Sequence, residues 1–354
     1  MSGGLDSSVA AALLVEQGHE VIGLTAHLWK DGSRCCSAED VARAARVARR
    51  LGIEHRVLNS VEFFGEKVVR PFVEEYARGL TPSPCVRCNE FVKFGVLLRD
   101  ALRMGCARLA TGHYARAERR DSVWRLLRGA DERKDQSYFL HRLDQAQLAH
   151  ALFPLGTWTK AGAAAYAARC GLPVETASDS QDLCFVPAAG YAVFVEKYRP
   201  DLRAEGRILD TAGREVGRHA GVHRFTVGQR EGLGIASASR LYVKELRPES
   251  NEVIVGTREE VARSSCTARD VRWVAGAPPA GAVRCVVRLR YRHRGAAATV
   301  DPLAGDRAEV RFDQPEFAVT PGQAAVFYDA DEVLGGGWIE RGERGPEGAR
   351  AGGA

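Results

Sequence analysis

The residues best suited to chemistry open the chain. Met1-Ser2-Gly3-Gly4-Leu5-Asp6-Ser7-Ser8 runs straight into an apolar helical segment. Adjacent Gly3 and Gly4 let the backbone turn through φ > 0 and gather several N–H groups at one point. Ser7 or Ser8 can cap the following helix, whose positive end then faces that point, and the serine hydroxyls, Ser2 included, add donors. The product is an anion site built mostly of main chain. No lysine follows the glycines, so it is not a Walker loop. Asp6 is the local acid: it could orient a metal or a substrate, or cap the helix. A plain Gly-Gly turn before a helix is the alternative for the whole stretch.

Thiols supply the second possible chemistry. Thr81-Pro82-Ser83-Pro84-Cys85-Val86-Arg87-Cys88-Asn89 is a proline-stiffened loop carrying C-x-x-C, and Cys184 lies far along in Asp179-Ser180-Gln181-Asp182-Leu183-Cys184-Phe185. The C-x-x-C could be half of a zinc site, but no second C-x-x-C or H-x₃-H completes one. Adjacent Cys35 and Cys36 read as incidental, Cys106 as packing, and Cys170, Cys266 and Cys285 as small core residues. For Cys85, Cys88 and Cys184 a sulfur role and a structural role both stay open.

These residues need elements to hold them. Val9–Gln17 reads as a buried helix and Glu20–Thr25 as a strand. Ser37 offers an N-cap to a helix whose apolar face is Val41, Ala44, Ala45, Ala48 and Leu51. Ile53–Leu58 and Ala107–Ala110 read as strands, Val61–Arg78 and Glu90–Met104 as helices. Strands alternating with helices indicate a doubly wound parallel sheet of α/β class, with ligands past the carboxyl ends of the strands. That puts Thr25-Ala26 and Gly112-His113 on the same edge as the Ser-Gly-Gly loop. A strand normally precedes such a loop, so translation is expected to start upstream of Met1. Near residue 190 the texture changes to short β-like runs, among them Gly206–Leu209, Leu241–Leu246, Glu252–Val255, Ala282–Tyr291, Ala297–Val300, Ala308–Phe312 and Ala324–Tyr328. These predict a small mixed domain and then a C-terminal β-barrel. The expected divisions are 1–190, 191–257, 258–340 and a disordered tail over 341–354.

With 354 residues and 45% hydrophobic content the chain has ample material for such cores. No apolar run reaches membrane-spanning length and no leader opens the chain, so a cytoplasmic protein without a membrane partner is expected. Nine cysteines then argue for thiol or metal chemistry over disulfides. The net charge of +5 permits a polyanionic partner without demanding one.

The motifs become specific together. The first eight residues match the PP-loop of ATP pyrophosphatases. With Thr81–Asn89, Ala110–Arg116, Lys134–Leu140, Asp179–Phe185, Thr226–Gly234, Tyr291-Arg292 and Thr320–Ala324 in this order, the chain resembles the bacterial tRNA-specific 2-thiouridylases from Met1 to about Glu340. The resemblance implies sulfur replacing the C2 oxygen of a wobble uridine, with ATP, and with Mg²⁺ held at the loop. It implies nucleotide contacts at Ser2, Gly3, Gly4, Asp6, Ser7, Ser8, Ala26 and Gly112. Cys184 would take sulfur as a persulfide from a donor protein and Cys88 would be the second thiol, both needing low pKa values. Where this chain has Cys85 some relatives carry Asp, so Cys85, Cys88 and Cys184 holding an iron–sulfur cluster is the alternative. His113, Lys134, Asp135, Gln136, Tyr291, Arg292 and Gln323 match positions that touch tRNA at its anticodon arm. Arg288, Arg290, Arg292, His293 and Arg294 form a basic strand and turn suited to phosphates. Another PP-loop tRNA ligase, a non-catalytic tRNA binder and a zinc-stapled protein are the rival readings.

Overall fold

The computed structural model describes residues 1–29, 38–174, 183–237 and 239–342. Cys35, Cys36, the expected cap Ser37, the segment Asp179–Asp182 and the tail from 343 lie outside them.

The first half is α/β. Helix α1 (Leu5–Glu16) buries Leu5 and an unbroken run from Ser8 to Leu14, as expected of a helix enclosed by its neighbours. Strand β1 (Ile22–His27) pairs in parallel with β2 (Glu54–Asn59), and helix α2 (Ala38–Leu51) packs on both. A second parallel pair joins β3 (Leu109–Ala110) to β6 (Ala151–Leu152). The expected helix from Val61 is present but includes a wide turn over Gly65–Val69. The expected helix at Glu90 begins earlier, at Pro84, and widens into a π-turn segment over Cys88–Leu97. Such widenings are rare and concentrate at functional sites.

In the middle, β7 (Gly206–Leu209), β8 (Glu215–His219), β9 (Tyr242–Arg247) and β10 (Glu252–Gly256) form one sheet in the order β8-β7-β10-β9. Ile208, Val222, Phe225, Val243, Val253 and Val255 fill its core. The last part is a closed barrel of β11 (Arg263–Trp273), β12 (Val283–Arg288), β13 (Ala296–Leu303), β14 (Arg307–Glu316), β15 (Ala324–Asp329) and β16 (Glu332–Ile339). The order β11-β14-β13-β12-β15-β16 is shut by pairing of β16 with β11. Closure pairs β16 with β11 over Gly335–Ile339 and leaves the start of β16 open on that side.

Two features depart from the periodicity. Strands β11 and β16 were not among the expected runs, and β16 carries Gly335-Gly336-Gly337. Glycine is required there by close approach: a Cβ on Gly336 would lie 2.6 Å from the Ala325 carbonyl oxygen and 2.8 Å from the His141 ring. The hairpin β4 (Ala115–Arg120) and β5 (Val123–Arg128), from the first half of the chain, adds to the barrel, with Leu127 and Leu126 opposite Glu332 and Val333. One core cluster therefore joins Val86, Phe94 and Leu97 to Val326, Tyr328 and Trp338.

Burial also sets a pH limit. Loss of hydration pushes the His141 imidazole down to about 3 and His113 well below its ordinary value. Both stay neutral when folded, whereas the unfolded chain protonates near pH 6.5, so stability falls as pH drops through that value. Each costs about 1.4 kcal/mol per pH unit below it. The melting temperature should therefore fall by several degrees between pH 7.5 and 5.5; an unchanged value would contradict neutral burial.

Candidate functional site

The anion loop is built as its residues demand. Gly3 sits at φ +73°, and a Cβ there would lie 2.8 Å from Arg43 Cβ and 2.9 Å from the Ala44 nitrogen on α2. The expected serine cap is corrected. Gly4 is the N-cap of α1, in extended conformation and with no side-chain cap. The Ser7 and Ser8 hydroxyls instead donate to the Gly4 carbonyl at 3.2 and 2.8 Å, and Ser7 Oγ accepts from the Ser2 nitrogen at 3.2 Å. Among the described residues no side chain therefore caps the helix start, as a main-chain anion site requires. Met1 lies along β1, its amino group donating to the Leu24 carbonyl and its carbonyl accepting from Thr25 Oγ1 at 2.6 Å.

Asp6 does not cap the helix. Its carboxylate takes both oxygens to Lys160 Nζ at 2.8 Å and accepts from Tyr114 Oη at 2.9 Å. Lys160 escaped the sequence reading because it lies 154 residues away; Tyr114 lay inside a recognised motif without an assigned role. Gly112 arrives past the end of β3, as expected, and lies against the loop backbone. A Cβ on it would be 2.6 Å from the Asp6 carbonyl carbon and 2.7 Å from the Ser7 nitrogen.

The next residue leads towards the thiols. His113 is 8% exposed. Its Nε2 lies 3.5 Å from Lys93 Nζ and its Nδ1 2.8 Å from Thr111 Oγ1. An ammonium only donates, so Nε2 accepts and Nδ1–H donates to Thr111. Lys93 belongs to the widened segment that Cys88 begins. Cys88, Cys184 and Ala26 all pack against one cluster that includes Leu28, Phe64, Phe72, Phe185 and Phe194. Cys85 is exposed one turn earlier. Among the described residues no three His, Cys, Asp or Glu side chains gather as a metal-holding set.

The barrel holds the C-x-x-C loop. Gln323 Nε2 donates to the Thr81 and Pro82 carbonyls at 3.0 and 3.1 Å. Arg87 pairs with Glu75 at 2.5 Å and lies 5.1 Å over the Trp338 ring. Arg142 binds Glu90 at 2.6 Å and Asp270 of the barrel at 3.0 Å. Gln323 thus reaches the loop itself, a role no spacing in the sequence signalled.

The expected RNA-contacting residues converge, with two corrections. Asp135 is 3% exposed and turns inward. Its Oδ1 accepts from the Gly129 and Ser137 nitrogens, and its Oδ2 meets Arg288 at 3.0 Å. Arg288 is therefore not a phosphate ligand: it bonds Asp135 and the carbonyls of His293 and Tyr291. Burial without partners would cost both charges dearly, so each takes the other. The pair fastens the Lys134–Gln136 loop to the Tyr291-Arg292 turn, where Tyr291 packs 4.4 Å from Phe139. Gln136 Oε1 accepts from the Tyr114 nitrogen at 3.1 Å, linking this face to Asp6. Arg290, Arg292 and Arg294 are exposed, and His293 is half-buried against Glu316.

Comparison with known proteins follows this layout. Residues 1–188 match the family described as tRNA methyl transferase HUP domain. Residues 192–257 match the tRNA methyl transferase PRC-barrel domain and 263–339 the aminomethyltransferase beta-barrel domain. The tRNA-specific 2-thiouridylase MnmA of Geobacter metallireducens is 50% identical, over 96% of this chain and 95% of that protein. Those of Geotalea uraniireducens and Solibacter usitatus are 48% and 47% identical over 96% of this chain, and over 93% and 98% of theirs. With an uncapped Ser-Gly-Gly loop, a C-x-x-C helix held by a closed barrel, and identity of this order along nearly its whole length, the chain belongs to the tRNA-specific 2-thiouridylase family.

Proposed function

We propose that this protein is an ATP-dependent tRNA sulfurtransferase that converts a wobble uridine to 2-thiouridine. The observation that carries the reading is the continuous path from Asp6 and Ser7, through Gly112 and His113, to Lys93 on the segment that starts at Cys88.

A uracil C2 oxygen is a poor leaving group. Its attack on the α-phosphorus of ATP forms an O2–P bond, breaks the bond to the bridging oxygen, and releases pyrophosphate with the electron pair; the N3 proton is lost. The uncapped α1 terminus and the Gly4 face, where a Cβ would meet only Ser2 Oγ, at 3.5 Å, among the described residues, fit a phosphate. Mg²⁺ would neutralise phosphate charge, and Asp6 is the loop's acid for holding it. Cys184, charged as a persulfide by a sulfur-donor protein, attacks C2 with its terminal sulfur and AMP departs. The Cys88 thiolate then attacks Cys184 Sγ. The S–S bond breaks, sulfur stays on the base, and a Cys88–Cys184 disulfide remains for a thiol reductant. Packing of Cys88 and Cys184 on one aromatic cluster supports this pairing.

The substrate base has to leave its stack, which calls for backbone contacts around the anticodon arm. Lys134, Gln136, Tyr291 and Arg292 are the residues to make them, with Asp135 shaping their loop and His113 and Gln323 acting nearer the thiols. Arg292→Ala should weaken tRNA binding several-fold and reduce the slope of log affinity against log salt by about 1; an unchanged slope would remove Arg292 from the interface.

The deciding experiment is mass analysis of tRNA incubated with enzyme, ATP, Mg²⁺ and a persulfide donor. An oxygen-to-sulfur gain at the anticodon, with AMP and pyrophosphate released, is expected. Sulfur gain only with enzyme carrying iron and acid-labile sulfide would overturn the persulfide route.

A further inference from the structure

The Asp6–Lys160 pair is oddly placed for an anion site. A carboxylate at the first turn of α1 repels the polyphosphate that the loop is shaped to receive, unless a cation intervenes. Lys160 supplies one. Nor is it a loose surface partner: it opens the helix Lys160–Arg169, Thr159 caps that helix by accepting from the Gly162 nitrogen at 3.1 Å, and the Lys160 nitrogen donates to Asp131 Oδ2 at 3.0 Å. Leu5, Val9, Ala12 and Leu13 of α1 pack against Ala163, Tyr166 and Ala167 of the second helix.

The two helices run the same way. Asp6 meets Lys160 at their starts, and Glu16 accepts from Tyr166 Oη at 2.7 Å further along. Both helix starts therefore lie together; Thr159 and Asp131 already satisfy that of the second, so the open positive end beside the lysine is that of α1. The ion pair stays accessible there, with side chains 23% and 32% exposed. A buried pair serving only the fold would be closed to solvent; this one stands at the mouth of the loop.

We infer that Lys160 receives the β- and γ-phosphates of ATP. It moves from the Asp6 carboxylate to the oxygens that become pyrophosphate, stabilises the charge released when the α–β bridge breaks, and leaves Asp6 to the phosphate-bound cation. Tyr114 Oη keeps Asp6 in position meanwhile. This assignment rests on the ATP chemistry proposed above.

Calorimetric binding of ATP, pyrophosphate and AMP, each with Mg²⁺, tests it in wild type, Lys160→Met, Lys160→Gln, Lys160→Arg, Asp6→Asn and the Asp6→Asn/Lys160→Met double variant. Removal of the charge should weaken ATP and pyrophosphate about thirty-fold and AMP less than about threefold, with Arg restoring most of the loss. The double variant should remain weak for ATP. Equal loss for AMP and ATP, no loss for ATP, or recovery in the double variant would overturn the assignment and make Lys160 a mere neutraliser of Asp6. Binding by wild type is the control for the underlying reading: wild type that binds no ATP refutes the nucleotide chemistry itself. Melting temperatures of the Met and Gln variants separate lost contact from lost fold.

Discussion

Cys184→Ser is expected to stop sulfur gain by tRNA, by on the order of 10³-fold or more, while pyrophosphate release from ATP continues. The substitution is nearly isosteric and removes only the atom that can carry a persulfide. Cys88→Ser should fail differently. The persulfide can still attack the activated carbon, but no second thiol breaks the resulting S–S bond. A covalent complex of enzyme and tRNA should accumulate and dissolve on adding a reducing thiol. The two variants therefore separate the roles of residues that pack on the same cluster of Phe64, Phe72, Phe185 and Phe194. Full sulfur transfer by either one would refute the two-thiol mechanism.

The second large effect is expected at a residue with no reactive group. An alanine at Gly112 places its Cβ 2.6 Å from the Asp6 carbonyl carbon, 2.7 Å from the Ser7 nitrogen and 2.8 Å from the Asp6 oxygen. All three are main-chain atoms, so the clash cannot be relieved by turning a side chain. Either the loop or the segment after β3 has to move by several tenths of an ångström. Displaced phosphate ligands of that order cost about 10²-fold in rate, and overpacking costs about 1–3 kcal/mol of stability. Gly112→Ala should thus lose ATP affinity and turnover together. Gly281→Ala, with nothing among the described residues within 4 Å of the added atom, should change neither. ATP binding by Gly112→Ala at wild-type strength would show that the loop tolerates the shift.

What could be read in advance was what depends on residues close together in the chain. The Ser-Gly-Gly loop is complete within Ser2–Ser8, and its glycines are adjacent. Turn chemistry is a matter of a few consecutive dihedrals, so it survives as a motif. The same holds for the C-x-x-C loop, for the change from helical to short β texture near residue 190, and for most strands of the barrel. Even there, local signals misjudged detail. Ser7 and Ser8 looked like caps, but the helix starts at Leu5, ahead of both, and their hydroxyls turn back to Gly4.

Everything that depends on a distant partner was decided by the tertiary structure. Nothing in the run around Asp6 points to Lys160, 154 residues on, and nothing around Asp135 points to Arg288, 153 residues on. A charged side chain reads as solvated until folding removes its water, and it then pairs with whichever opposite charge the packing brings. That is why Arg288, read with its exposed neighbours as a phosphate ligand, instead buttresses the Lys134–Gln136 loop and the Tyr291-Arg292 turn from inside. Gln323 came to hold Thr81 and Pro82 for a similar reason: buried carbonyls need donors, and the closed barrel is what presents one. The hairpin Ala115–Arg128 enters the barrel because β16 has a backbone edge to share with it. Sequence carries turn chemistry and periodicity directly, whereas the pairing of buried charges and strand edges exists only once the chain has closed on itself.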